Sequence, residues 1–171
     1  MSHIPLIPPL LLLLLIGDAG VVGMNPGTSY RARYGFAAVL ETNGDVIGWG
    51  ASYYGLDKAP SGLKDIKNIL STAYAFAALH NNGTVTAWGT SVTGDSSKGG
   101  AAPSLRNTKA VYSNEEAFAA LHFDSSVTTW GTPTYGGAVP VTEDLVDVKE
   151  IFSADSAFAA LHQSGRVSAW V

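Results

Sequence analysis

The pentapeptide Phe-Ala-Ala-Leu-His occurs three times in the chain, starting at Phe76, Phe118 and Phe158, and a tryptophan follows each start by twelve residues, at Trp88, Trp130 and Trp170. A looser fourth copy runs from Phe36 to Trp49. Successive phenylalanines are 40, 42 and 40 residues apart and successive tryptophans 39, 42 and 40. A fixed period near forty means that one supersecondary unit is stacked on copies of itself, each covering an apolar face that its neighbour cannot bury alone, as in a solenoid or a propeller. The repeated residues therefore build the units. Whatever the chain binds is set by the residues that do not repeat.

Each unit reads as β-structure. The second half is an apolar run, a turn and a second run ending in Trp, with turns at Asn43-Gly44, Asn82-Gly83, Asp124-Ser125 and Ser164-Gly165. Gly ends three of the four and supplies the positive φ that a two-residue primed turn requires. After the turn, Thr84-Val85-Thr86-Ala87-Trp88 and its counterparts alternate with period two around an inward Val. The first half repeats as Asp65-Ile66-Lys67-Asn68-Ile69-Leu70-Ser71, Asn107-Thr108-Lys109-Ala110-Val111-Tyr112-Ser113 and Asp147-Val148-Lys149-Glu150-Ile151-Phe152-Ser153, each Ser five residues before its Phe. At least three strands per unit follow where this half is present, and the hairpin units span 34–50, 65–89, 107–131 and 147–171. The Ala-Phe-Ala-Ala-Leu strand is apolar on both faces, so it must be covered on both sides, as stacked blades would do. Alanines let the sheets approach, and Phe76, Trp88, Phe118, Trp130, Phe158 and Trp170 are expected to fill the blade core. Val-Thr pairs, Asn-Gly turns and frequent glycines exclude helical repeats of similar period.

With Phe-Ala-Ala-Leu, a Gly-bearing turn, Val, Trp-Gly at Trp88-Gly89 and Trp130-Gly131, then Gly-Gly, Pro, Leu and Ile-x-Ser, residues 34–171 resemble the regulator-of-chromosome-condensation (RCC1) type of repeat, especially the short variant of the β-lactamase-inhibitor-protein-II (BLIP-II) superfamily. The resemblance implies a β-propeller, usually of seven blades, with three- or four-stranded sheets. It implies no single activity, since members include an exchange factor for a nuclear small GTPase, an inhibitor of β-lactamases and modules within ubiquitin ligases. The expected fold is all-β: a partial β-propeller of about three and a half antiparallel blades, each three- to four-stranded. Two departures stand out. The first copy carries an extra residue between Phe36 and Trp49 and lacks a preceding Asp-x-Lys-x-Ile-x-Ser strand, and the last copy reads Trp170-Val171 in place of Trp-Gly. An open arc exposes strand edges and sheet faces. Further repeats of a longer array, or another copy of the chain, are expected to complete the ring.

Composition narrows the function classes. The 171 residues are 46% hydrophobic and 14% charged, enough for one sizeable domain. A net charge of -4, with ten Lys and Arg scattered singly, removes the usual electrostatic drive toward nucleic acid. The absence of cysteine excludes disulfides, thiolate metal sites and a Cys nucleophile. Residues 1–20 form a hydrophobic leader in which positions 10–15 are all leucine, a run too short to span a bilayer. It is compatible with an export signal, with Gly17-Asp18-Ala19 offering small residues for cleavage, yet His3 is the sole basic-type residue before it and prolines 5, 8 and 9 interrupt a helix. The leader would place the chain outside the cell or at a membrane; without it the cytoplasm is the default. Residues 21–33 read as a linker or a degraded first strand.

Candidate chemistry is sparse. His80, His122 and His162 recur, but ligands to one metal must converge, whereas equivalent positions on successive blades diverge. Each precedes its turn by two residues, where a polar surface residue is expected. Ser61-Gly62-Leu63-Lys64 matches Ser-x-x-Lys, but in a Pro-Ser-Gly loop without the companion motifs. Glu115-Glu116 are adjacent carboxylates that should point apart, and Asn82-Gly83-Thr84 is a glycosylation sequon whose Asn a turn already explains. No catalytic residue, metal or cofactor is assigned. The informative aromatics are those in the variable loops, Tyr53, Tyr54 and Tyr135, because tyrosine is enriched in interface hot spots; Tyr54 and Tyr135 each follow a Trp by five residues, a spacing that favours packing at the loop base. The leading expectation is a non-catalytic repeat propeller that binds a protein partner. The alternatives are an extracellular carbohydrate-binding or enzyme-associated module, and a fragment of a larger repeat protein without independent function.

Overall fold

The computed structural model describes residue 33 and residues 35–39, 46–54, 59–89, 102–138 and 145–171. The leader, most of the linker, the turn at Asn43-Gly44 and the loop around Gly99-Gly100 lie outside the described residues. Those described form a β-propeller arc without an α-helix, and hence without a helix long and apolar enough to cross a membrane.

A two-stranded sheet, β1 (Gly35–Val39) and β2 (Val46–Gly50), comes first. Three three-stranded antiparallel blades follow: β3 (Ile66–Ser71), β4 (Ala75–His80) and β5 (Val85–Gly89); β6 (Thr108–Ser113), β7 (Ala117–His122) and β8 (Val127–Gly131); β9 (Val148–Ser153), β10 (Phe158–His162) and β11 (Val167–Trp170). The Phe-Ala-Ala-Leu strand is the middle strand of each blade. Register places Phe76 opposite Trp88, Phe118 opposite Trp130 and Phe158 opposite Trp170, and each pair stacks with ring centroids 5.3, 5.0 and 5.5 Å apart. Cross-strand aromatic pairs of this kind add about 0.5–1.5 kcal/mol beyond the area they bury.

Alternation along the middle strand explains the stacking. In the first blade, Phe76, Ala78 and Trp88 pack against Ala37 of the preceding sheet, while Ala75, Ala77 and Leu79 on the other face pack against Phe118, Ala120 and Trp130. Likewise Ala117, Ala119 and Leu121 receive Phe158, Ala160 and Trp170. Each blade thus presents a Phe–Trp front to the Ala-Ala-Leu back of its predecessor. Small residues on the back leave room for the rings, and burial of each phenylalanine contributes about 1.5–3 kcal/mol.

Backbone bonds tie the blades together. Thr108 N donates to Gly83 O (3.0 Å) and Val148 N to Ser125 O (2.9 Å), while at the other end Ala73 N donates to Glu115 O (2.7 Å) and Glu115 N to Asp155 O (3.2 Å). The first strands, β3, β6 and β9, approach one another and so lie innermost.

The turns differ from expectation. They are three-residue loops, not two-residue primed turns: His80 N bonds Thr84 O, Gly83 N bonds His80 O, and the same bonds recur at His122 and His162. Positive φ falls only on the third residue, at Gly83 (78°), Ser125 (67°) and Gly165 (84°), whereas a primed turn needs it at the first central position. The cause is a side-chain bond. Asn82 Oδ1 accepts from Thr84 N (3.0 Å) and Thr84 Oγ1 (2.7 Å), and Asp124 does the same with Ser126, a local arrangement that competes with the primed turn.

Candidate partner-binding rim

One rim of the arc is built from the loops that join first to middle strands and from the segments that leave the third strands. Thr72 Oγ1 accepts from Tyr74 N (3.2 Å) and Ala75 N (3.0 Å). Its counterpart Asn114, wholly buried, does more: Oδ1 accepts from Glu116 N and Ala117 N, and Nδ2 donates to Tyr135 O at 2.6 Å. A 3₁₀ turn, Pro133–Tyr135, is thereby fastened over the rim, and Trp170 Nε1 donates to the next carbonyl, Gly136 O, at 3.1 Å. The corresponding 3₁₀ turn after β2 is Ser52–Tyr54.

Tyr54 and Tyr135 are half-buried. Tyr54 packs against the first core cluster and meets Tyr74 with centroids 5.2 Å apart, and Tyr135 packs against the third cluster. The side chain of Tyr53 lies outside the described residues. Glu115 and Glu116 diverge: Glu115 pairs with Arg33 at 3.9 Å, while Thr132 Oγ1 donates to Glu116 Oε2 at 2.9 Å. The repeated Phe and Trp side chains of the three full blades are buried in the core, and Trp170 meets the rim segment from beneath.

The opposite rim carries the three-residue turns and the histidines, and here the surface reading of the histidines is corrected. His122 and His162 are buried, the latter 3% exposed, and His80 is half-buried. His80 Nδ1 lies 2.7 Å from Lys64 O and Nε2 2.9 Å from Thr86 Oγ1; His162 makes the same pair of bonds to Val146 O (2.8 Å) and Ser168 Oγ (3.0 Å). A carbonyl can only accept, so Nδ1 donates. Nε2 is then occupied by the hydroxyl, and the ring serves as a strut between the strand and the segment entering the blade. Among the described residues no three His, Asp or Glu side chains gather as a metal site would require. Ser61 and Lys64 lie exposed in the turn before β3, where Lys64 contributes only its carbonyl to His80.

Two features escaped the sequence reading. Lys67, Lys109 and Lys149 each occupy a β-bulge on the innermost strands, at the register shifts opposite Leu79–His80, Leu121–His122 and Leu161–His162. Far from scattered, these lysines share one position, and Lys67 Nζ reaches across to donate to Lys109 O at 3.0 Å. The recurring Asp-x-Lys was the signal, but a bulge shows only once the strands are paired. Phe123 is the second: it is 64% exposed on the turn where Asn81 and Gln163 stand in the other blades.

The sequence matches no protein-family model and no curated protein. Solved structures do match. Prp20p from Saccharomyces cerevisiae aligns over 80% of this chain and 43% of its own length, at 16% identity and a TM-score of 0.54. Yeast RCC1 (Prp20) bound to Kap60 aligns over 80% and 41%, at 15% identity and 0.53. The fold is an RCC1-type repeat propeller. The ectodomain of the receptor kinase CR4 from Physcomitrella patens, at 16% identity and a TM-score of 0.55, aligns over 80% of this chain and 38% of its own. The chain thus spans about two fifths of the length of these solved chains.

Proposed function

We propose that this chain is a non-catalytic propeller module that binds a protein partner through the rim carrying Tyr53, Tyr54 and Tyr135. The observation that carries the reading is the split between what repeats and what varies. Phe, Trp, Ala and His recur in every full blade and are spent on packing and struts, whereas the rim changes from blade to blade: Thr72-Ala73-Tyr74, Asn114-Glu115-Glu116 and Ala154-Asp155-Ser156. Variable loops on a rigid scaffold are where recognition residues concentrate. Glu115, Glu116 and Asp155 stand against Arg33 alone among the described charges of this rim, so a partner with a basic surface is the better fit. Proteins of the same fold support the reading, since Prp20p is described with its binding to Gsp1p and histones, and yeast RCC1 is bound to Kap60.

The test is site-specific photocrosslinking in the full chain, with a benzophenone amino acid at Tyr54 and, on the opposite rim, at Phe123. Adducts to a protein from Tyr54 that are lost with Glu115→Lys support the proposal. Adducts from Phe123 only, or from neither position, overturn it.

A further inference from the structure

The back of the third blade has no blade against it among the described residues, yet it repeats the two backs that do. At the positions where the first blade has Leu70, Ala75, Ala77, Leu79, Val85 and Ala87, and the second has Tyr112, Ala117, Ala119, Leu121, Val127 and Thr129, the third has Phe152, Ala157, Ala159, Leu161, Val167 and Ala169. In the first two blades this surface takes the Phe–Trp front of the blade that follows. In the third, Phe152 is 51% and Val167 64% exposed. A face this apolar, continuous with two interfaces whose occupant is visible, specifies its occupant by the same rule. What fits is another Phe–Trp front.

The arc itself carries such a front at its other end. In the two-stranded sheet, Ala37 and Val46 pack toward the first blade. By alternation the opposite face, carrying Ile47 and Trp49, is the front, and Ile47 is 38% exposed. Back and front are separate surfaces, so copies would join head to tail. A head-to-tail contact closes into a ring when the rotation allows and otherwise propagates.

We propose that the back of the third blade docks the front of the β1–β2 sheet of a second copy of this chain, with Val167 and Phe152 of one copy against Ile47 and Trp49 of the other. This surface is distinct from the tyrosine rim, so either proposal can fail alone. Sedimentation of the full chain across a concentration series provides the test. A dimer or larger species is expected, and Val167→Asp and Ile47→Asp should each weaken association by about a hundredfold, since each would bury an unpaired carboxylate. Both positions are solvent-exposed in the single chain, and an unchanged circular dichroism spectrum will confirm that folding is intact. Mixing the two variants should restore a heterodimer, because one junction then joins a wild-type back to a wild-type front. A concentration-independent monomer of the unmodified chain overturns the proposal, whether further repeats or an unrelated protein covers the face in its place. So does a mixture of variants that stays monomeric, because it still offers an unaltered back to an unaltered front.

Discussion

Replacing Gly131 by alanine should destabilise the protein far more than replacing Gly165, although both glycines have positive φ. Gly165, at φ +84°, has nothing within 4 Å of the point where a Cβ would stand. Its alanine variant meets only the backbone strain of a left-handed residue, about 1 kcal/mol. Ser125 already holds the equivalent position at φ +67°, so the strain is tolerable there. Gly131, at φ +118°, is different in kind: a Cβ would sit 2.6 Å from Glu116 O and 2.7 Å from Ala117 Cα. Both are backbone atoms of the paired strand and cannot swing aside. Relief requires lifting the end of β8 from β7, which forfeits the Ala117–Gly131 pairing and the Thr132 N to Glu116 O bond of 3.0 Å. Each lost bond costs about 1 kcal/mol. With strain at a φ still less favourable than Gly165's, the total loss is about 3–4 kcal/mol. Equilibrium urea unfolding followed by tryptophan fluorescence is a direct assay, because Trp130 adjoins the site. Gly89→Ala should behave alike, its Cβ meeting Tyr74 O at 2.5 Å and Ala75 Cα at 2.6 Å. If Gly131→Ala and Gly165→Ala lose the same stability within about 0.5 kcal/mol, close backbone approach is not why Trp-Gly recurs.

The remaining expectations concern the polar members of the repeat. His162→Ala should cost about 2–3 kcal/mol in the same assay, since it strands Val146 O and empties a buried ring site, and the half-buried His80→Ala should cost less; the reverse order would contradict the strut role. Ala154→Asn should stabilise by about 0.5–1 kcal/mol, because Ala154 replaces the loop-bonding Thr72 and Asn114 while its N–H keeps the same bond to Ala157 O at 2.9 Å; a loss of stability would show that this loop is shaped otherwise. Bonds from the Ser126 side chain and backbone hold the Asp124 carboxyl below the ordinary carboxylate range. A depressed folded value means that this contribution is present above the unfolded value, about 3.9, and is lost as pH falls through the folded one. Asp124→Asn keeps the geometry seen at Asn82, so the stability gap between it and the unmodified chain should shrink on acidification toward pH 3; a gap independent of pH would refute the assignment.

What the sequence revealed was what repeats at fixed spacing. Phe76 and Trp88 could be paired on paper because a hairpin and a period of two place them opposite one another, and the doubly apolar middle strand demanded cover on both faces. What escaped depended on partners far along the chain. His162 looks like a surface residue until the carbonyl of Val146, sixteen positions earlier, arrives beside its ring. Lys67 gives no sign of being an extra residue until β3 is laid against β4. The Asn82-Gly83 turn was misread for a local reason: the dipeptide favours a primed turn, but Thr84 offers Asn82 two hydrogen bonds that only the three-residue loop satisfies.

Set together, these details separate scaffold from recognition more sharply than the pentapeptide does. Asp65, Asn107 and Asp147 recur because each adopts positive φ, between 53° and 59°, and turns its carbonyl toward the hairpin loop of its own blade, accepting from Asn81, Phe123 and Gln163. Asp and Asn tolerate that conformation better than other non-glycine residues. The aspartates, bulge lysines, histidines and turn residues are therefore polar yet structural: their recurrence reports chain geometry, not shared chemistry. In a stacked array, stability is close to a sum over blades and the interfaces between neighbours, so these positions must serve every blade alike. Freedom to specialise is left to residues outside that set. Among those described, they lie on the rim of Tyr54, Glu115 and Asp155, at Phe123, and at the exposed Ile47, Phe152 and Val167, which is where binding should be sought.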